Sequence, residues 1–271
     1  MVSDREGMPE EMQEAMQEAI KRLQKRCVVS VEPMEKLHQW LDGKRLARQP
    51  CRVLGDSRTG KSVACWAYAC NHPPQQQDGK PPVVPVLYWQ APQESGARDF
   101  FEGLLDALQY QLSRGTLSEL RRRVYQVLAA CQVELLIIDE AHRIRKKTFS
   151  DVQDVYEKLE ISIALVGTDR LDTVVRRDEQ VERRFKAAHQ VQRLNSGQLK
   201  TTTALWEKHV LRLPEASKLT SGPMQRILNN ATDGYIGLLD MILRSAAIAA
   251  LERGERHITK AILEEVASEY R

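Results

Sequence analysis

Gly55-Asp56-Ser57-Arg58-Thr59-Gly60-Lys61-Ser62 fits the pattern GxxxxGK[ST]. A loop of this kind, where it follows a strand and opens a helix, surrounds phosphate oxygens with successive backbone N–H groups and a helix N-terminus. Lys61 is then expected to reach the β- and γ-phosphates of ATP, and Ser62 to ligate Mg²⁺. Val63 completes the phosphate-binding stretch as it enters the helix. The plain alternative is a glycine turn that joins strand to helix and holds nothing.

A second group of residues supplies the complementary chemistry. Leu135-Leu136-Ile137-Ile138-Asp139-Glu140 reads as a buried strand ending in paired carboxylates, which sets them at the carboxyl edge of a sheet beside the phosphates. Asp139 is expected to hold Mg²⁺, directly or through water. Glu140 is expected to orient the attacking water or take its proton during phosphoryl transfer. Ile161 to Val166 leads into Gly167-Thr168-Asp169, where Thr168 is a candidate to bind the γ-phosphate or the water. The alternative is ordinary turn chemistry, with Thr168 and Asp169 as caps.

Further along stands Arg176-Arg177-Asp178-Glu179-Gln180-Val181-Glu182-Arg183-Arg184-Phe185. Charge runs are usually solvated faces. An arginine here could instead be supplied to a neighbouring copy's γ-phosphate and stabilise transition-state charge; Arg184 is the first candidate and Arg183 the second. His142 follows the acidic pair and reads as structural, since no second His or Cys stands at ligand spacing.

These residues need a scaffold that places strand ends side by side. Cys51–Leu54, Val83–Trp89, Val133–Ile138 and Ile161–Val166 read as strands. Helical patterns cover Pro9–Arg26, Pro33–Leu46, Lys61–Asn71 and Asp99–Leu112. Thr116, with Glu119 three residues on, opens a further helix to Ala130 through a capping box. His72–Pro82 is rich in Pro, Gln and Gly and reads as an exposed connection. Alternating strands and helices predict an α/β fold with a mainly parallel sheet covered on both faces. After Leu194 every segment is helical, namely Ser196–Leu211, Ser221–Thr232, Gly234–Arg253 and Thr259–Tyr270. The expected organisation is an N-terminal amphipathic helix and linker over 1–30, a nucleotide-binding core over 31–195 and a small helical lid over 196–271.

Composition narrows the class. The chain has 271 residues, 42% hydrophobic and 28% charged, which excludes global disorder and fibrous repeats. No apolar run approaches the roughly 20 residues that cross a bilayer, and the first 26 residues lack the apolar stretch of a signal peptide, so no membrane partner and a cytoplasmic location are expected. Five cysteines form no CxxC pair and are expected to be reduced. A net charge of +3 is too mild to demand a nucleic-acid partner by itself.

In order along the chain, a Walker A loop, a Walker B Asp-Glu pair, a polar residue after the next strand, a Glu-Arg-Arg-Phe segment and a helical lid resemble the AAA+ ATPases. Within them, Leu-Ile-Ile-Asp-Glu-Ala-His, Val-Gly-Thr-Asp-Arg-Leu and Thr-Asp-Gly-Tyr-Ile-Gly, with the phosphate loop and the Arg-Arg segment, resemble the TnsC/TniB/MuB group of transposition regulators. The likeness runs closest to TnsC of CRISPR-associated, RNA-guided transposons. It implies an ATP-dependent ATPase that oligomerises on double-stranded DNA as a ring or helical filament. Such an assembly marks the target, links target-recognition proteins to the transposase, and comes apart as ATP is hydrolysed. AAA+ lids often start a lid helix with a sensor arginine. Here Gly237 is followed by Leu238, which leaves such sensing to Arg244 in the next turns.

An assembly on DNA should touch it through loops and chiefly through phosphates. Ser95-Gly96-Ala97-Arg98 and Arg114-Gly115-Thr116 each join a cation, a flexible glycine and open helix-start amides, so Arg98, Thr116 and Arg114 are the candidates. Thr116 has the alternative of acting only as an N-cap. Arg145, with Lys146 and Lys147, forms a third basic cluster. Three other functions remain open on sequence: a DNA-processing motor or loader of AAA+ type, a peptide-sensing signalling ATPase, and an adaptor that holds nucleotide without turning it over.

Overall fold

The computed structural model describes residues 10–111, 115–176 and 178–270. Arg114 and Arg177 therefore lie outside the described residues. The chain divides into two compact units, Glu32–Gln192 and a second that unites 1–31 with 193–271. The N-terminal helix expected to stand with its linker as a segment of its own thus belongs with the C-terminal helices.

In the first unit, α2 (Glu32–Leu46), β1 (Cys51–Leu54) and α3 (Lys61–Cys70) lead to a hairpin of β2 (Gln75–Gln77) and β3 (Lys80–Val83). Then come β4 (Val86–Gln90), α4 (Ala97–Ala107), α5 (Leu117–Ala130), β5 (Leu135–Asp139), α6 (Phe149–Leu159), β6 (Ser162–Gly167), α7 (Asp169–Val175), α8 (Glu179–Arg184) and β7 (Ala188–Gln190). The sheet order is β4-β5-β6-β1-β7 and each neighbouring pair is parallel. β1, β5 and β6 are buried along their whole length, which is why they read as near-continuous apolar runs. Their buried polar residues are Asp139, Ser162 and Arg52, of which Arg52 on β1 pairs with Asp172 of α7 and donates to the Lys186 carbonyl at 3.4 Å.

Several segments depart from the sequence reading, among them α7 and α8, which form where a turn and a charge run are expected. His72–Pro82, expected as a plain connection, carries the exposed β2–β3 hairpin, whose two-residue loop is Asp78-Gly79 with Gly79 at φ +67°. Gly79 supplies the positive φ of the turn, which a glycine adopts without steric cost. Helix α6 forms in a segment for which the sequence reading expects no element, with Phe149, Val152 and Val155 in its buried stripe. The short strand β7 was also missed; Ala188-His189-Gln190 carries no apolar run and pairs only with β1.

The second unit holds α1 (Glu10–Gln24), α9 (Ser196–Trp206) continued by a π-helical turn Glu207–Leu211, α10 (Gly222–Thr232), α11 (Ile236–Glu252) and α12 (Lys260–Ser268). Two arginines fasten α1 to this bundle. Arg22 donates to the Leu211 carbonyl at 2.9 Å and to that of Arg212 at 3.2 Å, satisfying acceptors that the helix end leaves open. Arg244 donates to the carbonyls of Leu23 and Lys25 and to Asp240. Its guanidinium thus closes the end of α1 and is not a free lid sensor. Cys51, Cys65 and Cys131 are buried free thiols, and Cys27 and Cys70 are exposed ones. No helix of the described residues is long and apolar enough to cross a membrane.

Candidate functional site

Sheet register brings the chemistry together. Leu54 of β1 lies opposite Gly167 of β6, and Leu165 of β6 lies opposite Ile138 of β5. The loop after β1, Thr168 after β6 and Asp139 at the end of β5 therefore emerge side by side at one carboxyl edge, with β6 between the other two. Parallel strands put all their carboxyl ends on one side, so loops far apart in the chain converge there.

The Gly55–Ser62 loop takes positive φ at Gly55, Arg58 and Gly60. Gly55 has φ +152°, and a Cβ there would sit 2.4 Å from the Val191 carbonyl oxygen. Gly60 caps α3 in the left-handed region at φ 89°. Thr59 is buried, and its hydroxyl donates to the Asp56 carbonyl at 2.8 Å. Ser57 and Arg58 are exposed, whereas Ser62 and Val63 are half-buried in the first turn of α3. Lys61 is 7% exposed, and its ammonium donates to the Asp56 carbonyl at 2.6 Å. Burial lowers the Lys61 pKa, opposed by the charges of Asp139, Glu140 and Asp56. A buried ammonium facing carboxylates across a loop of helix-start amides suits a polyanion that arrives with a cation.

Asp139 is 1% exposed, and each carboxylate oxygen accepts one hydrogen bond: Oδ1 from the Glu140 N–H at 2.9 Å and Oδ2 from the Tyr88 hydroxyl at 2.6 Å. Among the described residues no group of three or more His, Cys, Asp or Glu could hold a metal ion. Asp139 with Ser62 fits a Mg²⁺ that takes few protein ligands and completes its shell from phosphates and water.

Glu140 has a left-handed backbone, φ 53° and ψ 35°, unusual for a non-glycine residue and often found where function holds it. Its carboxylate lies 3.4 Å from His142 Nδ1 and 3.7 Å from Arg143 Nε, close in charge yet without hydrogen-bond geometry, and both nitrogens are buried without a hydrogen-bond partner. Burial lowers the His142 pKa, with Glu140 opposing. Thr168 occupies the N-cap position of α7, but its hydroxyl makes no capping bond, against the reading of it as a simple cap. Asp56, Ser57, Glu140, His142, Thr168 and Arg170 are among the residues lining a cleft of about 650 Å³.

Arg183 and Arg184 lie elsewhere, at the end of α8. Arg184 pairs with Glu157 of α6, and Arg183 pairs with Glu179 at 2.5 Å on its own exposed helix face. Neither lines the cleft.

The three loops singled out for cationic contacts meet. Arg98 donates to the Gly115 carbonyl, and Arg145 faces Glu94 at 3.7 Å. Ser95 N–H donates to the Arg143 carbonyl and Arg145 N–H to the Ser95 carbonyl, both at 3.0 Å, which stitches the loop before α4 to the segment after β5. The helix-start amides are less open than expected. Gly96 N–H is taken by Asp99 at 2.8 Å and Thr116 N–H by Glu119 at 2.7 Å. The Thr116 hydroxyl accepts from Glu119 N–H and donates to its carboxylate, so the capping box uses it in full. Tyr88, Arg143 and Glu94 were missed by sequence reasoning; a single hydroxyl inside the apolar strand Val-Leu-Tyr-Trp was the only available sign of the first.

The family model for the bacterial TniB protein matches residues 12–194, more than half of the chain. The chain belongs to the TniB family. No curated protein sequence matches this TniB-family chain significantly. Among solved structures it is similar to Cdc6p from Pyrobaculum aerophilum, at 17% identity and TM-score 0.74, over 92% of this chain and 70% of that one. The Aeropyrum pernix ORC2 protein in ADPNP-ADP complexes matches at 15% identity and TM-score 0.70, over 92% and 71%. The Aeropyrum pernix ORC1 protein in complex with DNA matches at 12% and 0.65, over 92% and 69%. At such identities the likeness is one of fold, and that fold is the AAA+ P-loop architecture: a five-stranded parallel sheet flanked by helices, with a helical C-terminal region.

Proposed function

We propose that this TniB-family chain is an ATPase that assembles on double-stranded DNA and acts as a transposition target-selection regulator, linking target-recognition proteins to the transposase in the manner of TnsC of RNA-guided transposons. The observation that carries the reading is that buried Lys61, buried Asp139 and Thr168, whose hydroxyl makes no capping bond, end or follow three neighbouring strands at one sheet edge, where Thr168, Glu140 and Asp56 line a cleft. Nucleotide complexes of the ORC2 neighbour and the DNA complex of the ORC1 neighbour support it by analogy of fold alone.

In this reading residues 55–63 cradle the phosphates of ATP, with Lys61 moving its N–H bonds from the Asp56 carbonyl to phosphate oxygens. Ser62 and Asp139 hold Mg²⁺, which neutralises charge on the β- and γ-phosphates. Glu140 orients the attacking water, with Thr168 beside it. Arg184, or Arg183 in its place, reaches the nucleotide of a neighbouring copy, which accounts for a side chain away from its own cleft. ATP then favours the assembled form and ADP the separated one, because only the triphosphate presents charge to both copies at once. Arg98, Arg145 and Thr116, with Arg114 outside the described residues, form the DNA-facing set, of which the arginines supply phosphate contacts.

Sedimentation with duplex DNA tests this. Wild-type chain is expected to pellet with DNA in ATP and to be released in ADP, while Lys61→Ala stays in the supernatant. Undiminished pelleting of Lys61→Ala would count decisively against the reading.

A further inference from the structure

Two hydrogen bonds fix the Asp139 carboxylate before anything binds beside it. The Glu140 N–H holds Oδ1 at 2.9 Å, and the Tyr88 hydroxyl holds Oδ2 at 2.6 Å, within the range of charge-assisted O–H···O bonds. The first comes from the same strand end and is available to any residue there. The second reaches across from β4, where Tyr88 pairs with Ile137 and stands two residues short of the position opposite Asp139. Its ring is long enough to carry a donor along the strand to the sheet edge. We infer that Tyr88 is a positioning residue for the metal, holding the Asp139 carboxylate in the orientation that a divalent cation at the phosphate loop requires.

Each carboxylate oxygen has about two acceptor directions, so one bond apiece leaves Asp139 a free direction on both oxygens for the cation or its water. Freed from the phenol, Oδ2 could turn toward the nearby Lys61 ammonium, on which the Asp139 charge already acts. That rotation would draw the anion away from the cation's place. Partners behind a ligand that set its orientation typically change metal affinity by about 10- to 100-fold. The inference rests on the nucleotide-site reading above and adds to it a residue outside both motifs.

The test is a titration of the full-length chain with a fluorescent ATP analogue, first in EDTA and then at rising Mg²⁺, for wild type and Tyr88→Phe. Metal-free affinity is expected to agree within about twofold, while the Mg²⁺ concentration for half-maximal tightening rises about 10-fold in Tyr88→Phe. Mn²⁺ binding read by electron paramagnetic resonance should shift alike. In an Asp139→Asn background, where the carboxylate is gone, Tyr88→Phe should add nothing. An unchanged metal midpoint in a folded Tyr88→Phe, beside a wild type that binds and tightens normally, overturns the positioning role alone. Loss of folded protein in Tyr88→Phe would also overturn it, by assigning the hydroxyl to stability. A wild type that binds no nucleotide in either buffer overturns the site reading, and this inference with it.

Discussion

Arg98 donates to the Gly115 carbonyl oxygen at 2.7 Å, joining the loop that opens α4 to the loop that opens α5. The same guanidinium pairs with Glu102 at 2.5 Å, so Arg98 is held in place and yet 51% exposed. A cation already fixed by its neighbours loses little freedom when it meets a phosphate, and an exposed ion pair is worth little to the folded chain.

Duplex binding should therefore depend on salt through this patch. Arg98→Ala combined with Arg145→Ala is expected to weaken binding evenly across sequences and to lower the slope of log K against log salt by about 2. Fluorescence anisotropy at several salt concentrations measures it, and an unaltered slope places the DNA on another face.

Thr116 separates capping from contact. Its hydroxyl is engaged with Glu119 on both sides, so Thr116→Ala should cost about 1 kcal/mol in urea unfolding, and Thr116→Ser should recover most of it. Duplex affinity is expected to follow stability in this pair; a large affinity loss with normal stability would mark a direct contact.

Glu140→Gln keeps the shape of the side chain and removes the proton acceptor. ATP turnover should fall by about 10²- to 10⁴-fold while nucleotide affinity holds, so that assemblies on DNA outlive those of wild type. Rapid disassembly of Glu140→Gln at the wild-type rate would assign the water to another group.

At Gly55 a methyl group has nowhere to go. With φ +152° and a built Cβ 2.4 Å from a backbone oxygen, Gly55→Ala must displace the loop or the Val191 segment. A stability loss of about 1–3 kcal/mol and the disappearance of nucleotide binding are expected. Calorimetry with and without ATP reads both, and normal ATP binding by this variant would show that the loop tolerates a different course.

Arg184 has a test that a structural ion pair would not pass. Arg184→Ala should reduce turnover by about 10³-fold or more without loss of ATP binding. Mixing it with Glu140→Gln should restore activity, because one boundary in the mixture then joins an intact Arg184 to an intact Glu140. Mixtures as inactive as their parts would leave Arg184 with its Glu157 pairing alone, and the same mixture built on Arg183→Ala would be tested next.

Much of the candidate site was legible in sequence because its geometry is local. Gly55 to Ser62 form one turn, and glycines at fixed offsets state where the backbone must take positive φ. The apolar runs ending in Asp139 and Gly167 declared strands buried on both faces, and Thr116 with Glu119 declared the start of α5, which begins at Leu117. The same local logic failed for β7, which has no pattern of its own, and for α6, whose stripe follows a basic run.

What only the tertiary structure decided is which distant residues meet. Pairing of β4 with β5 delivers the Tyr88 hydroxyl to Asp139, and the bridge between Ser95 and Ile144 brings Arg98 and Arg145 to adjoining loops. Folding likewise set Arg244 against the end of α1, where its guanidinium is taken up. A spacing along the chain can specify a turn, a cap or a strand. Sheet register and side-chain reach are set by the packing of the whole, so the distant partners of Asp139, Arg98 and Arg244, namely Tyr88, the Gly115 carbonyl and the end of α1, have no signature in the residues beside them.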